Sequence, residues 1–157
     1  MKSLFSIFSL LIVAVVLFSS FSCNKRSSGS IPPVTSAPEM VVDFIDSDAL
    51  SPVLEQAEAE GKLVFVDFYT DWCLPCRVMD RDVFTDQPFG DWMNDNFISY
   101  KVNAEKDNGP RLSSIFEVQV FPTLLFLDAK GNVLERRSSS MSTTQLRAMG
   151  QRVLDAN

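Results

Sequence analysis

Two cysteines separated by two residues, Cys73 and Cys76, stand where an apolar run gives way to helical spacing, a setting suited to dithiol–disulfide exchange. A sulfur just before a helix meets unpaired amide hydrogens and the positive end of the helix dipole, which lowers its pKa below the free value of about 8.5. Cys73 is therefore the expected attacking thiolate. Cys76, one turn further in and less exposed, can close on Cys73 and resolve the mixed disulfide that the attack creates. The bland alternative is a structural bridge. A bridge enclosing two residues restrains the unfolded chain far less than a long loop would, which makes it a poor staple. Asp67 is the one charge in the preceding apolar run. Burying a lone carboxylate costs several kcal/mol or drives its pKa upward, so Asp67 either serves the chemistry or sits paired or wet at a strand edge.

These side chains need a strand and a helix to hold them. Leu63 to Tyr69 has the apolar and β-favouring composition of a strand covered on both faces. Pro75 suits the first turn of the helix that follows, where its missing amide hydrogen would have had no partner. Upstream, residues 40–45 read as a first strand. Leu50 to Glu60 reads as a helix with Leu50, Val53, Leu54 and Ala57 on its apolar face and Gly61 as its stop. Helical spacing after the cysteines pauses around residues 85–88, which predicts a kink or break before Trp92 and Met93. A strand over residues 97–102, a short helix over 110–116 and a strand over 123–128 come next. A turn containing Gly131 then leads to a partner strand, Val133 to Arg137. Ser142 and Gln145 form a capping-box pattern that opens a last helix. The order is β-α-β-α-β-α-β-β-α, which implies a mixed α/β sheet with parallel crossovers first, an antiparallel hairpin last and helices on both faces.

Composition removes several classes of function. The 157 residues contain no histidine, so Ser-His and Cys-His catalysis and imidazole metal sites are excluded. With 14 Lys+Arg against 20 Asp+Glu, the net charge of -6 argues against nucleic acid as a partner. Three cysteines with only one close pair fall short of the four ligands a zinc or iron-sulfur site normally needs. A metal is therefore not expected within one chain, and a cluster shared by two chains is the remaining metal reading. There is no Gly-x-Gly-x-x-Gly, so no nicotinamide or flavin cofactor is expected and any reducing electrons must come from a partner.

The first 22 residues have the layout of an export signal, with Lys2, an apolar stretch and small residues before Cys23. The arrangement resembles a bacterial lipoprotein signal, which implies that Cys23 carries a lipid. Ser20, Phe21 and Ser22 depart from the usual residues there. Ordinary secretory cleavage and an uncleaved membrane helix are the alternatives, and all three place the remainder outside the cytoplasm. Residues 23–38, rich in Ser and Pro, read as a flexible membrane tether, and residues 39–157 as the folded domain.

Trp72-Cys73-Leu74-Pro75-Cys76-Arg77, with Asp67 upstream and Phe121-Pro122-Thr123 downstream, resembles the thioredoxin superfamily. Within it, the chain is most similar to the thioredoxin-like C-terminal domain of bacterial transmembrane thiol:disulfide interchange proteins. The resemblance implies a thioredoxin-like fold and a redox-active Cys73–Cys76 disulfide with no other cofactor. It gives Asp67 the role of moving the proton of Cys76, and places Lys101 beside that acid. It makes Pro122 a cis-proline facing the cysteines, leaves the backbone of Phe121 free to pair with substrate, and sets Trp72 beside the site. Two departures concern partner choice: Leu74-Pro75 replaces the Gly-Pro of thioredoxin, and Ser139 stands where many relatives have glycine. Leu74 offers the thiolate neither charge nor hydrogen bond, which favours a reductase. The expected function is a disulfide reductase or interchange protein on the periplasmic face of a bacterial membrane, drawing electrons from a transmembrane donor and acting on protein disulfides. The competing reading is a non-catalytic binding module that holds client polypeptides.

Overall fold

The computed structural model describes residues 39–157, so the expected leader, the expected lipid-bearing Cys23 and the expected tether lie outside the described residues. Five strands form one sheet in the order β1-β3-β2-β4-β5. They are β1 (Phe44–Ile45), β2 (Leu63–Tyr69), β3 (Phe97–Asn103), β4 (Thr123–Leu127) and β5 (Val133–Arg137). β3 runs parallel to both β1 and β2, whereas β4 is antiparallel to β2 and to β5. Among the described residues five helices accompany them: α1 (Leu50–Glu60), α2 (Leu74–Asp82), α3 (Gln87–Asn96), α4 (Gly109–Ile115) and α5 (Thr143–Ala156). This is the mixed α/β sheet expected from the element order.

Alternation along β2 sorts its side chains between two cores. Phe65 faces Met79 of α2, Met93 of α3 and Met149 of α5. Val64, Val66 and Phe68 face Val53 and Ala57 of α1 and Leu112 of α4. β2 is thus covered on both faces, and the cysteine-bearing segment leaves its end from the middle of the sheet.

Two local differences from the sequence reading have clear causes. The first strand is two residues long instead of six, because residues 41–43 are tied to a helix and a turn. The amides of Val41 and Val42 donate to the Phe84 carbonyl, and the Asn94 side chain bonds both the Val41 carbonyl and the Asp43 amide. Gly90 permits that approach, since a Cβ there would lie 2.6 Å from Val41 Cγ2. The expected break after the cysteine helix is a full separation into α2 and α3. Val83 and Phe84 both donate to the Met79 carbonyl, Phe84 turns into the core, and Asp86 caps α3 by accepting the Phe89 amide at 2.9 Å. The Ser142–Gln145 capping box at the start of α5 is present in full.

Candidate active site

Cys73 is the N-cap of α2, held by its amide donating to the Thr70 carbonyl at 3.1 Å. Pro75 lies in the first turn, and Cys73 and Cys76 are joined by a disulfide with their Cα atoms 5.3 Å apart. The Cys76 amide donates to Cys73 Sγ at 3.2 Å. The expected difference in exposure is absent in this disulfide-linked form, where Cys73 and Cys76 are 2% and 1% exposed. Hydrogen bonding separates them instead: Cys73 is the sulfur that receives a helix N-terminal amide, an arrangement that favours negative charge on it. Beside it, Trp72 and Leu74 are exposed.

The Phe121–Pro122 peptide bond is cis. The Phe121 ring meets Trp72 edge to face at 6.0 Å. Among the described residues the main-chain N–H and C=O of Phe121 enter no hydrogen bond. Thr123, buried next to the proline, fixes the turn by donating its hydroxyl to the Val120 carbonyl at 2.8 Å. A cleft of about 850 Å³ borders Phe121 and Glu105. Ser139 is exposed and accepts a hydrogen bond from Arg137 Nε at 2.9 Å.

Trp72 is held by a residue the sequence did not single out. Its indole N–H donates to Glu105 Oε1 at 3.0 Å. Glu105 is in turn placed by Asn103, which accepts the Glu105 amide and donates to Asp71. Lys106 pairs with Asp71, and Arg77 reaches the Asp71 carbonyl. These links join the loop after β2 to the loop after β3. Contacts across about thirty residues leave no periodic trace in a sequence.

In β2, Asp67 is 1% exposed, and parallel pairing of β2 and β3 sets it opposite Lys101. Lys101 Nζ donates to Asp67 Oδ2 at 2.5 Å and to Asp80 Oδ1, on α2, at 2.7 Å. Asp67 Oδ1 is buried with no protein partner. Burial pushes the Asp67 carboxyl above the usual carboxylate range, and Lys101 only partly offsets it. Burial works to lower the Lys101 pKa, but the two carboxylates outweigh it and hold the ammonium above its ordinary value. The site therefore contains a helix-capping sulfur, a second cysteine bonded to it, and a buried acid whose carboxyl pKa is raised above the usual range. Among the described residues no group of three or more His, Cys, Asp or Glu is placed to hold a metal ion.

The family model for thioredoxin-like domains matches residues 50–154. The chain is 33% identical over 123 residues to a thiol:disulfide interchange protein DsbD of Pseudomonas sp. (strain JR1 / K1), covering 78% of this chain and 20% of that protein. With its counterpart in Tatumella citrea the identity is 30%, covering 74% and 21%. The chain thus spans about a fifth of the length of these curated relatives. Among solved structures it is similar to a candidate disulphide-isomerase from Bacteroides thetaiotaomicron, at 30% identity and a TM-score of 0.66, covering 78% of this chain and 99% of that one. The oxidised C-terminal domain of Neisseria meningitidis DsbD shares the fold at 21% identity and a TM-score of 0.56, covering 69% and 97%.

Proposed function

The chain belongs to the thioredoxin-like domain family, and on that premise we propose that it is an exported, membrane-tethered protein-disulfide reductase or interchange protein. The observation that carries the reading is the Cys73–Cys76 pair at the start of α2, with the Cys76 amide on Cys73 Sγ and the cis Pro122 turn downstream.

The Cys73 thiolate attacks a substrate disulfide, forming a Cys73–substrate mixed disulfide and releasing one substrate thiolate. Cys76 then attacks Cys73 Sγ, which closes the protein's own disulfide and releases the second substrate thiol; two electrons pass to the substrate. Asp67, poised by burial to hold a proton, takes it from the Cys76 thiol as that sulfur becomes the nucleophile. An extended substrate segment pairs with the free main chain of Phe121 beside Pro122, flanked by Trp72, and continues along the neighbouring cleft. The apolar Leu74 leaves the Cys73 thiolate without added charge, which supports the reducing direction. Electrons arrive from a transmembrane donor, and a lipid on Cys23 with residues 23–38 as tether keeps the domain at the periplasmic face of the membrane. That the relatives are thiol:disulfide interchange proteins supports the exchange chemistry.

The deciding experiment is a trap. Cys76→Ser should accumulate mixed disulfides between Cys73 and client proteins in exported fractions, while Cys73→Ser should give none and lose turnover. Equal activity of wild type and Cys73→Ser would overturn the enzyme reading in favour of a binding module.

A further inference from the structure

Lys101 is enclosed more completely than an ion pair requires. Besides the two carboxylates, its Nζ lies 4.6 Å from the ring centroid of Tyr69, 5.1 Å from that of Phe84 and 5.3 Å from that of Phe44. The rings come from the end of β2, the turn after α2, and β1. A ring face attracts a cation without offering an acceptor for its N–H groups. Two of the three ammonium donors are taken by Asp67 and Asp80, and rings stand where water would otherwise surround a lysine head group.

The three rings differ in what else they do. Phe44 and Phe84 pack edge to face at 5.1 Å and belong to the core on the α2 side. Tyr69 belongs to neither apolar core. It stands two residues beyond Asp67, hence on the same face of β2, and is half-buried. Packing does not account for it, whereas the contact with Lys101 does.

We propose that Tyr69 is a positioning residue for the exchange reaction: with Phe44 and Phe84 it cages the Lys101 ammonium between Asp67 and Asp80, and so fixes the positive charge that faces the buried Asp67 carboxyl. Its bearing on catalysis rests on the reading of Asp67 given above. Asp80 is 32% exposed and Asp67 only 2% by side chain. Without the Tyr69 ring the flexible lysine stem is free to follow water toward Asp80, which weakens the charge opposite Asp67. The groups facing Lys101 are Asp67 and Tyr69 of β2 and Asp80 of α2. Across a small opening stand Asp46 and Asp48 from the loop after β1, Tyr100 of β3, and Lys106 and Asp107 from the loop after β3.

The test is a carboxyl ¹³C NMR titration of Asp67 in the full-length, disulfide-linked protein. Tyr69→Leu is expected to raise the Asp67 midpoint by about one pH unit, and Tyr69→Phe, which keeps the ring, to leave it in place. Lys101→Met should move the midpoint upward at least as far, and the double variant Tyr69→Leu/Lys101→Met no further than Lys101→Met alone. An unmoved midpoint in Tyr69→Leu, or a double variant that moves beyond Lys101→Met, overturns the cage. In the unsubstituted protein the ε-methylene protons of Lys101 should resonate upfield of those of other lysines through ring currents; an ordinary shift also overturns it and needs no variant to fold. The pH profile of disulfide exchange separates the two readings, its acid limb being expected to move with the midpoint. A moved midpoint with an unmoved rate profile keeps the cage but overturns the part of Asp67 and Tyr69 in the reaction.

Discussion

Burial disfavours the charged form of Asp67, and the consequence for stability has a definite pH window. Its folded pKa is raised by burial, so the native state binds the proton more tightly than the unfolded chain does. Stability linked to this group is complete below the unfolded value of about 3.9 and is lost as pH rises through the folded value. Ionisation of the buried carboxyl therefore works against folding. If burial outweighs the pairing with Lys101, Asp67→Asn should stabilise the disulfide-linked protein at pH 7, with the gain vanishing below about pH 4, while slowing exchange. Urea denaturation across pH checks this. A variant less stable than wild type at pH 7 would mean that pairing with Lys101 outweighs burial. The oddity of one acid in an apolar strand was visible in the sequence, as were the two cysteines. The shared claim of Asp67 and Asp80 on Lys101 was not, because it depends on strand register and on the rotation of α2, and periodicity reports neither.

Elements were legible where a local signal marks their ends. Gly61 ends α1, Ser142 and Gln145 open α5, and Gly131 marks the β4–β5 turn, where Asp128 accepts the amides of Lys130 and Asn132. β1 was overread, since the apolar stretch before it owes its composition to contacts with Phe84 and α3 instead of strand pairing. The division between α2 and α3 shows how a side chain sets an element boundary. Asp86 supplies the cap that the backbone lacks, and Phe84, fully buried in the linker, helps wall the Lys101 site. Asp86→Ala should cost about 1 kcal/mol by chemical denaturation. If α3 starts without that cap, the loss should fall to a few tenths of a kcal/mol, within the range of ordinary surface changes.

At the scale of the whole molecule, the redox site and the proposed membrane attachment are carried by separate stretches of chain. The cysteines, Asp67, Lys101, Phe121 and Pro122 all lie between Asp67 and Pro122, in a domain whose sheet carries an apolar core on each face. Cys23 stands 44 residues before Asp67, at the start of the proposed tether and outside the stretch that holds the cysteine pair. If the tether only confines the domain near its electron donor, removing the anchor changes local concentration and leaves the chemistry alone. Cys23→Ala should therefore lose fatty-acid labelling and leave the membrane fraction, while its rate with a soluble disulfide and a chemical reductant stays within about twofold of wild type, as expected when uncoupled sites act independently. Reduction of clients in the cell should fall much further, because the variant no longer dwells beside its donor. A matching fall in the soluble assay would tie the N-terminal stretch to the active site itself, and retained labelling in Cys23→Ala would place the lipid elsewhere.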